Sequence, residues 1–200
     1  MEKVMENIVK FITMILIIAM IVNLIYEKRE KQKVQEKLLA LLYERKFDAF
    51  DEVIKSNKTR KLIPYFNIQF MLLNEALMCN DDEKAELLFQ QFKKVKLKKA
   101  EKEAVALKAF YFYLSVSNYE IAEDYYRDIK QLHNNENILD LDRINDTYIK
   151  KGYAYLDQTL KESKNNPMLL SMIADMYLNK GDLDKQKEYE QKAKLAIEKL

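Results

Sequence analysis

Residues that break regular backbone are nearly absent from this chain. Its 200 residues include two glycines, Gly152 and Gly181, and two prolines, Pro64 and Pro167, against average shares of about 7% and 5%. Lys, Glu, Leu and Ala, all good helix formers, fill the space between them. No alternating run of apolar and polar residues bounded by turn residues stands out, so strands are not expected. The composition predicts an all-α protein whose helices end only where short polar stretches allow it.

Those stretches recur. Measured at Glu44, Asn80, Ser117, Gly152 and Gly181, their spacings are 36, 37, 35 and 29 residues. An apolar set at helical spacing precedes most of these marks: Leu72, Leu73 and Ala76; Ala109, Phe110 and Tyr113; Leu141, Ile144 and Tyr148; Leu170, Ile173 and Tyr177. Ala49, Ala85 and Ala122 follow the first three marks, where two helices that cross closely need a small side chain. Asn80-x-x-Glu83 and Ser117-x-x-Glu120 have capping-box spacing. Asn166-Pro167 sets a cap residue before a proline at the first helical position, and Pro64 is read the same way. Helices are expected at 4–45, 47–57, 64–79, 82–95, 100–116, 119–132, 138–151, 153–164, 167–180 and 183–199. The polar stretch 134–137 is the most loop-like and a candidate joint.

The order Leu170-x-x-Ile173-Ala174-x-x-Tyr177-x-x-x-Gly181, with Ala193 beyond it, resembles the tetratricopeptide repeat, a helix–turn–helix unit of about 34 residues. Gln186 departs from the pattern, standing where that family usually has a small Ala. The resemblance implies a right-handed α-solenoid of about five antiparallel helix pairs over residues 28–200, each pair burying its apolar face on its neighbours. It also implies a non-catalytic scaffold or adaptor that receives a protein or peptide partner in the inner groove. By offset within the repeat it nominates Phe70, Asn74, Tyr111, Asp142, Asp146, Ser171 and Asp175 as groove residues. The Lys/Asn clamp of chaperone-binding members is not recognisable. The alternative under the same resemblance is an extracytoplasmic, chaperone-like holder of translocating or unfolded chains.

Phe11 to Tyr26 is sixteen residues long and carries no charge. A helix that spans a bilayer needs about 20 mostly apolar residues. Extension to Ile8 includes Lys10, whose stem can carry its ammonium to the headgroups. Residues 1–27 are therefore expected to form a membrane anchor, with Phe11, Ile12, Ile15, Leu16, Ile18, Ile21 and Leu24 facing lipid and Tyr26 at the interface. No Ala-x-Ala follows, so the segment reads as an uncleaved anchor rather than a signal peptide. Lys28, Arg29, Lys31, Lys33 and Lys37 outnumber Lys3 and Lys10 on the other side, which places the repeat domain in the cytoplasm. With no Gly or Pro from Phe11 to Arg45, the anchor is expected to continue directly into the first helix of the domain.

Chemistry finds little support. The net charge of +2 is too small to indicate a nucleic-acid partner. His133 is the single histidine and Cys79 the single cysteine. With no Gly-rich phosphate loop and no Cys–His proximity, no catalytic residue, cofactor site or metal site is expected. The densest charge feature is Lys93, Lys94, Lys96, Lys98 and Lys99. It reads as a solvated turn between repeats, with contact to anionic lipid as the functional alternative.

Overall fold

The computed structural model describes residues 2–134 and 138–199, with side chains from residue 20 onward. Every described element is helical: α1 (Glu2–Tyr43), α2 (Phe47–Lys55), α3 (Asn57–Leu62), α4 (Tyr65–Met78), α5 (Asp82–Lys93), α6 (Lys99–Ser115), α7 (Tyr119–Leu132), α8 (Leu139–Ile144), α9 (Leu156–Ser163), α10 (Pro167–Lys180) and α11 (Leu183–Ile197). A π-helical turn, Asn145–Ile149, continues α8. The all-α expectation holds. Most of the expected helices appear within a few residues of their predicted bounds, while residues 135–137 of the expected loop lie outside the described ones.

The chain divides into two compact units, Met1–Gln91 and Phe92–Leu200. Helix α1 runs unbroken through residue 27, as the lack of Gly and Pro there predicts. In the first unit, Val34, Leu38 and Leu42 of α1 pack with Phe50 and Ile54 of α2 and with Ile63 and Met71. Helix α3 occupies a stretch expected to be a loop. The signal for it was Ser56, whose hydroxyl accepts the Thr59 N–H at 3.2 Å. Thr59 is buried, and its own hydroxyl donates to the Val53 carbonyl at 2.7 Å. Lys58 pairs with Glu30 at 2.6 Å, tying α3 to α1. Glu75 and Lys84, 2.7 Å apart, link α4 to α5.

In the second unit α6 packs on α7, and α10 on both α9 and α11. Tyr113 and Tyr125 stack with centroids 5.7 Å apart between α6 and α7. Leu156, Met172, Ile173 and Met176 form a core cluster with Tyr148, Leu160, Tyr177 and Tyr189 against it.

Four turns share one construction. Arg45, Asn80, Ser117 and Gly181 have φ of 56°, 54°, 59° and 83°, in the left-handed region. Each donates its N–H to the carbonyl three residues back (Leu42, Leu77, Leu114, Leu178), and the next residue donates to the carbonyl five back from itself (Leu41, Ala76, Tyr113, Tyr177). This pair of bonds is the Schellman closure, which satisfies carbonyls left open at a helix end. In the last three of these turns the residue after the left-handed one caps the following helix with its side chain, whereas Lys46 in the first makes no such bond. Asp81 accepts the Lys84 N–H at 3.0 Å, Asn118 the Ile121 N–H at 3.4 Å, and Asp182 the Lys185 N–H at 3.1 Å.

Two expectations therefore move by one position. The caps are Asp81 and Asn118, not Asn80 and Ser117, because those two residues make the left-handed turn and are not free to cap. The first turn is centred on Arg45, not Glu44. Phe50, Ala85 and Ala122 then hold equivalent places, and all three are fully buried. Ala49 is only half-buried, as is Gln186, which stands at the same place in the last turn. Leu38, Leu73, Phe110 and Ala174 likewise share one place before the turn, and all four are buried. The expected Asn166 cap is present, accepting N–H groups of Met168 at 3.0 Å and Leu169 at 3.3 Å with Pro167 in the first turn. Pro64 sits one residue earlier than expected, just before the helix that begins at Tyr65.

Candidate partner-binding surface

The nominated residues in the first unit lie on α4. Phe70 and Asn74 are half-buried, and the Phe70 ring stacks on Phe66 at 5.5 Å.

Those of the second unit divide into two kinds. Tyr111 on α6 and Ser171 on α10 point to solvent, Tyr111 with 47% of its surface exposed. The inner edge of Tyr111 lies against Phe110, ring centroids 5.3 Å apart. Partial burial and the nearby Asp140 carboxylate push its phenol up from the ordinary value. One turn earlier, burial lowers Lys108. Tyr111 thus offers a broad ring fixed from beneath and a neutral hydroxyl, a form suited to anchoring a partner.

The acidic residues are committed to the fold. Asp142 is buried. It accepts the Tyr126 hydroxyl at 2.7 Å, the Lys130 ammonium at 3.2 Å and the Ile138 N–H at 3.2 Å. Burial first, then this hydrogen bond, push the Tyr126 phenol well above its usual range. Asp142 therefore fastens α7 to the start of α8. Asp146 organises the turn after the π-helical segment. Its carbonyl accepts the Gly152 N–H at 2.7 Å and its carboxylate the Ala154 N–H at 2.9 Å. Asn179 of α10 closes the same turn, donating to the carbonyls of Thr147 at 2.8 Å and Gly152 at 3.0 Å. Asp175, half-buried on α10, accepts the Tyr148 hydroxyl at 2.9 Å. Burial raises its carboxyl, against a smaller lowering from Tyr148.

Sequence reasoning placed Tyr148 in the repeat core but missed its bond to Asp175. It missed Asn179 altogether, since nothing local marks an amide whose partners lie about 30 residues away in sequence. Arg143 escaped notice too. It is 2% exposed and paired with Glu162 of α9.

Lys93, Lys94, Lys96, Lys98 and Lys99 are all exposed. Lys93 lies over the Tyr125 ring, 5.3 Å from its centroid. The Lys98 N–H donates to the Glu101 carboxylate at 2.9 Å, a cap at the start of α6. Cys79 is exposed at the end of α4, and His133 meets Glu103 at 2.8 Å between α7 and α6. Among the described residues no three His, Cys, Asp or Glu side chains are grouped to hold a metal.

Of the expected anchor, Ile21, Leu24 and Tyr26 are exposed, together with Met20, Val22 and Ile25. Phe11, Ile12, Ile15, Leu16 and Ile18 lie outside the described side chains. Among the described residues no helix is long and apolar enough to cross a membrane.

No family model matches the chain, and neither a curated protein nor a solved structure matches it.

Proposed function

We propose that the protein is a non-catalytic, membrane-anchored scaffold of tetratricopeptide-like helical repeats that captures a protein or peptide partner. The observation that carries this reading is the repeated turn at Arg45, Asn80, Ser117 and Gly181, with the same closure, the same buried place before each turn, and a buried place after the first three. The first three stand 35 and 37 residues apart, near the spacing of repeat scaffolds, while the turn between Ser117 and Gly181 closes differently, the Gly152 N–H donating to the Asp146 carbonyl; such scaffolds present extended surfaces rather than deep reactive clefts. Tyr111 and Ser171 are the side chains of the second unit offered for contact, with Asp175 behind them. The anchor is supported by the uncharged run Phe11–Tyr26 and by the exposure of its large apolar residues from Met20 onward. In water such a band is unfavourable, and lipid is an occupant that removes the cost.

Two measurements test the reading. Protease added to intact spheroplasts should leave the helical units uncut, and they should be cut once the cells are opened. Digestion from outside would reverse the orientation and favour the extracytoplasmic holder. Cross-linking from a photoreactive group at Ser171 in cells should yield one dominant adduct, lost in the Tyr111→Ala variant. Adduct formation indifferent to Tyr111 would remove this surface from the function.

A further inference from the structure

A groove of about 760 Å³ runs between α9 and α11 and reaches the first turn of α10. Its apolar floor includes Leu160, Tyr189 and Leu195, the last with 49% of its surface exposed. Lysines form its rim at Lys161, Lys164, Lys192 and Lys199, and no Asp or Glu is among the lining residues. The rim is not neutralised from within. Lys192 pairs with Glu188 at 2.6 Å while lying over the Tyr189 ring, but among the described residues no ion pair is seen for Lys161, Lys164 or Lys199. Lys164 also turns the chain at the end of α9 with φ 38° and ψ −112°, a conformation that costs a non-glycine residue energy.

An apolar floor between unneutralised cations selects an amphiphilic anion. The groove is bordered by two helices and open on one side, which suits a third helix laid along it. We propose that it docks a helical segment of a partner protein, apolar on one face and acidic along its edges. The surface is separate from Tyr111 and Ser171, so the proposal does not depend on them.

The probe is a labelled peptide of about 15 residues with Leu at i, i+3, i+4 and i+7 and Glu at the flanking positions. Its charge-reversed isomer carries Lys for Glu. Fluorescence anisotropy with the purified full chain should show the Glu peptide binding at least about tenfold more tightly than the Lys peptide. The triple variant K161Q/K164Q/K199Q should lose about tenfold for the Glu peptide, and raised salt should weaken wild-type binding in the same direction. Lys187→Gln, on α11 but outside the groove, should bind as wild type. Circular dichroism checks that the triple variant is folded, and Leu195→Asp gives a second, independent loss.

Equal binding of both peptides, or binding unchanged in the folded triple variant, would overturn the proposal. So would sedimentation showing a self-associated chain that the triple variant dissolves, which would make the occupant a second copy. Binding to phosphatidylglycerol vesicles through these lysines, with no peptide binding, would overturn it in favour of lipid.

Discussion

A methyl group added at Gly152 would lie 2.5 Å from the Asp146 Oδ1, whereas one added at Gly181 would meet nothing within 4 Å. The two glycines are needed for different reasons. At Gly152 the limit is space, because the Asp146 carboxylate is held close by its bond to the Ala154 N–H. At Gly181 the limit is the backbone, with φ at 83°. Gly152→Ala should destabilise the fold by about 2 kcal/mol, as an overpacked site does, and Gly181→Ala by about 1 kcal/mol. In urea titrations, adding Asp146→Ala should recover part of the first loss and none of the second. Additive behaviour in both cases would refute the steric account. Asp175 makes a prediction about pH. Its folded carboxyl is raised above the ordinary 3.8 by burial, so the protonated form is favoured in the folded state. The charge therefore costs stability once the pH is above the raised value, and the cost is relieved as pH falls through it toward 3.8. Asp175→Asn keeps an acceptor for Tyr148, and it should be more stable than wild type at pH 7. That advantage should shrink as the pH is lowered to 4. A constant difference across this range would show that the charge is not what matters.

At the scale of the element, the turns decide where each helix stops, and their chemistry is split between two neighbouring residues. Left-handed backbone is costly for Ser117, while the cap belongs to the residue after it. Ser117→Gly should therefore stabilise the second unit by about 1 kcal/mol. Asp182→Ala should destabilise it by about 1 kcal/mol. Thermal or urea unfolding of the two variants should move in opposite directions. The sequence carried much of this. Asn80, Ser117 and Gly181 were recognisable as turn residues, because short polar or glycine positions between apolar runs are where helices end. The division of labour was not recognisable, since Asn-Asp and Ser-Asn each offer two residues able to cap or to turn. Nor was the π-helical turn after α8. Beside it Asn179 in α10 meets the carbonyls of Thr147 and Gly152, a tertiary contact without local pattern. Asn179→Ala should leave those carbonyls short of a donor and destabilise the fold by about 1 kcal/mol. Amide exchange should quicken at residues 150–154 before it does in α6 or α7.

For the whole molecule, helical class was legible because four breakers in 200 residues leave little else. The division near residue 91 was not, because α5 carries the chain across it with no Pro, Gly or polar linker. The candidate surface was legible in part. Offset within a repeat found Tyr111 and Ser171, which are exposed. The same offset named Asp142 and Asp146, whose carboxylates turned out to be taken by Tyr126, Lys130 and Ala154. A repeat offset fixes the face of a helix and is silent about what the neighbouring helix brings to that face.

Helix α1 runs 42 residues without a break, from Glu2 to Tyr43. At 1.5 Å per residue it is about 63 Å long, and each residue turns it by about 100°. It is exposed around Met20 to Tyr26, and among its described side chains the first buried one is Val34. Whatever grips the lower half therefore sets the azimuth of the first unit as well as its height. One alanine inserted between residues 27 and 33 would swing that unit by about 100° while raising it only about 1.5 Å, and seven would lift it by about 10 Å yet return it to within about 20° of its starting direction. If partner capture depends on which way the unit faces, activity should rise and fall with insert length at the period of the helix. If it depends on reach alone, activity should change smoothly.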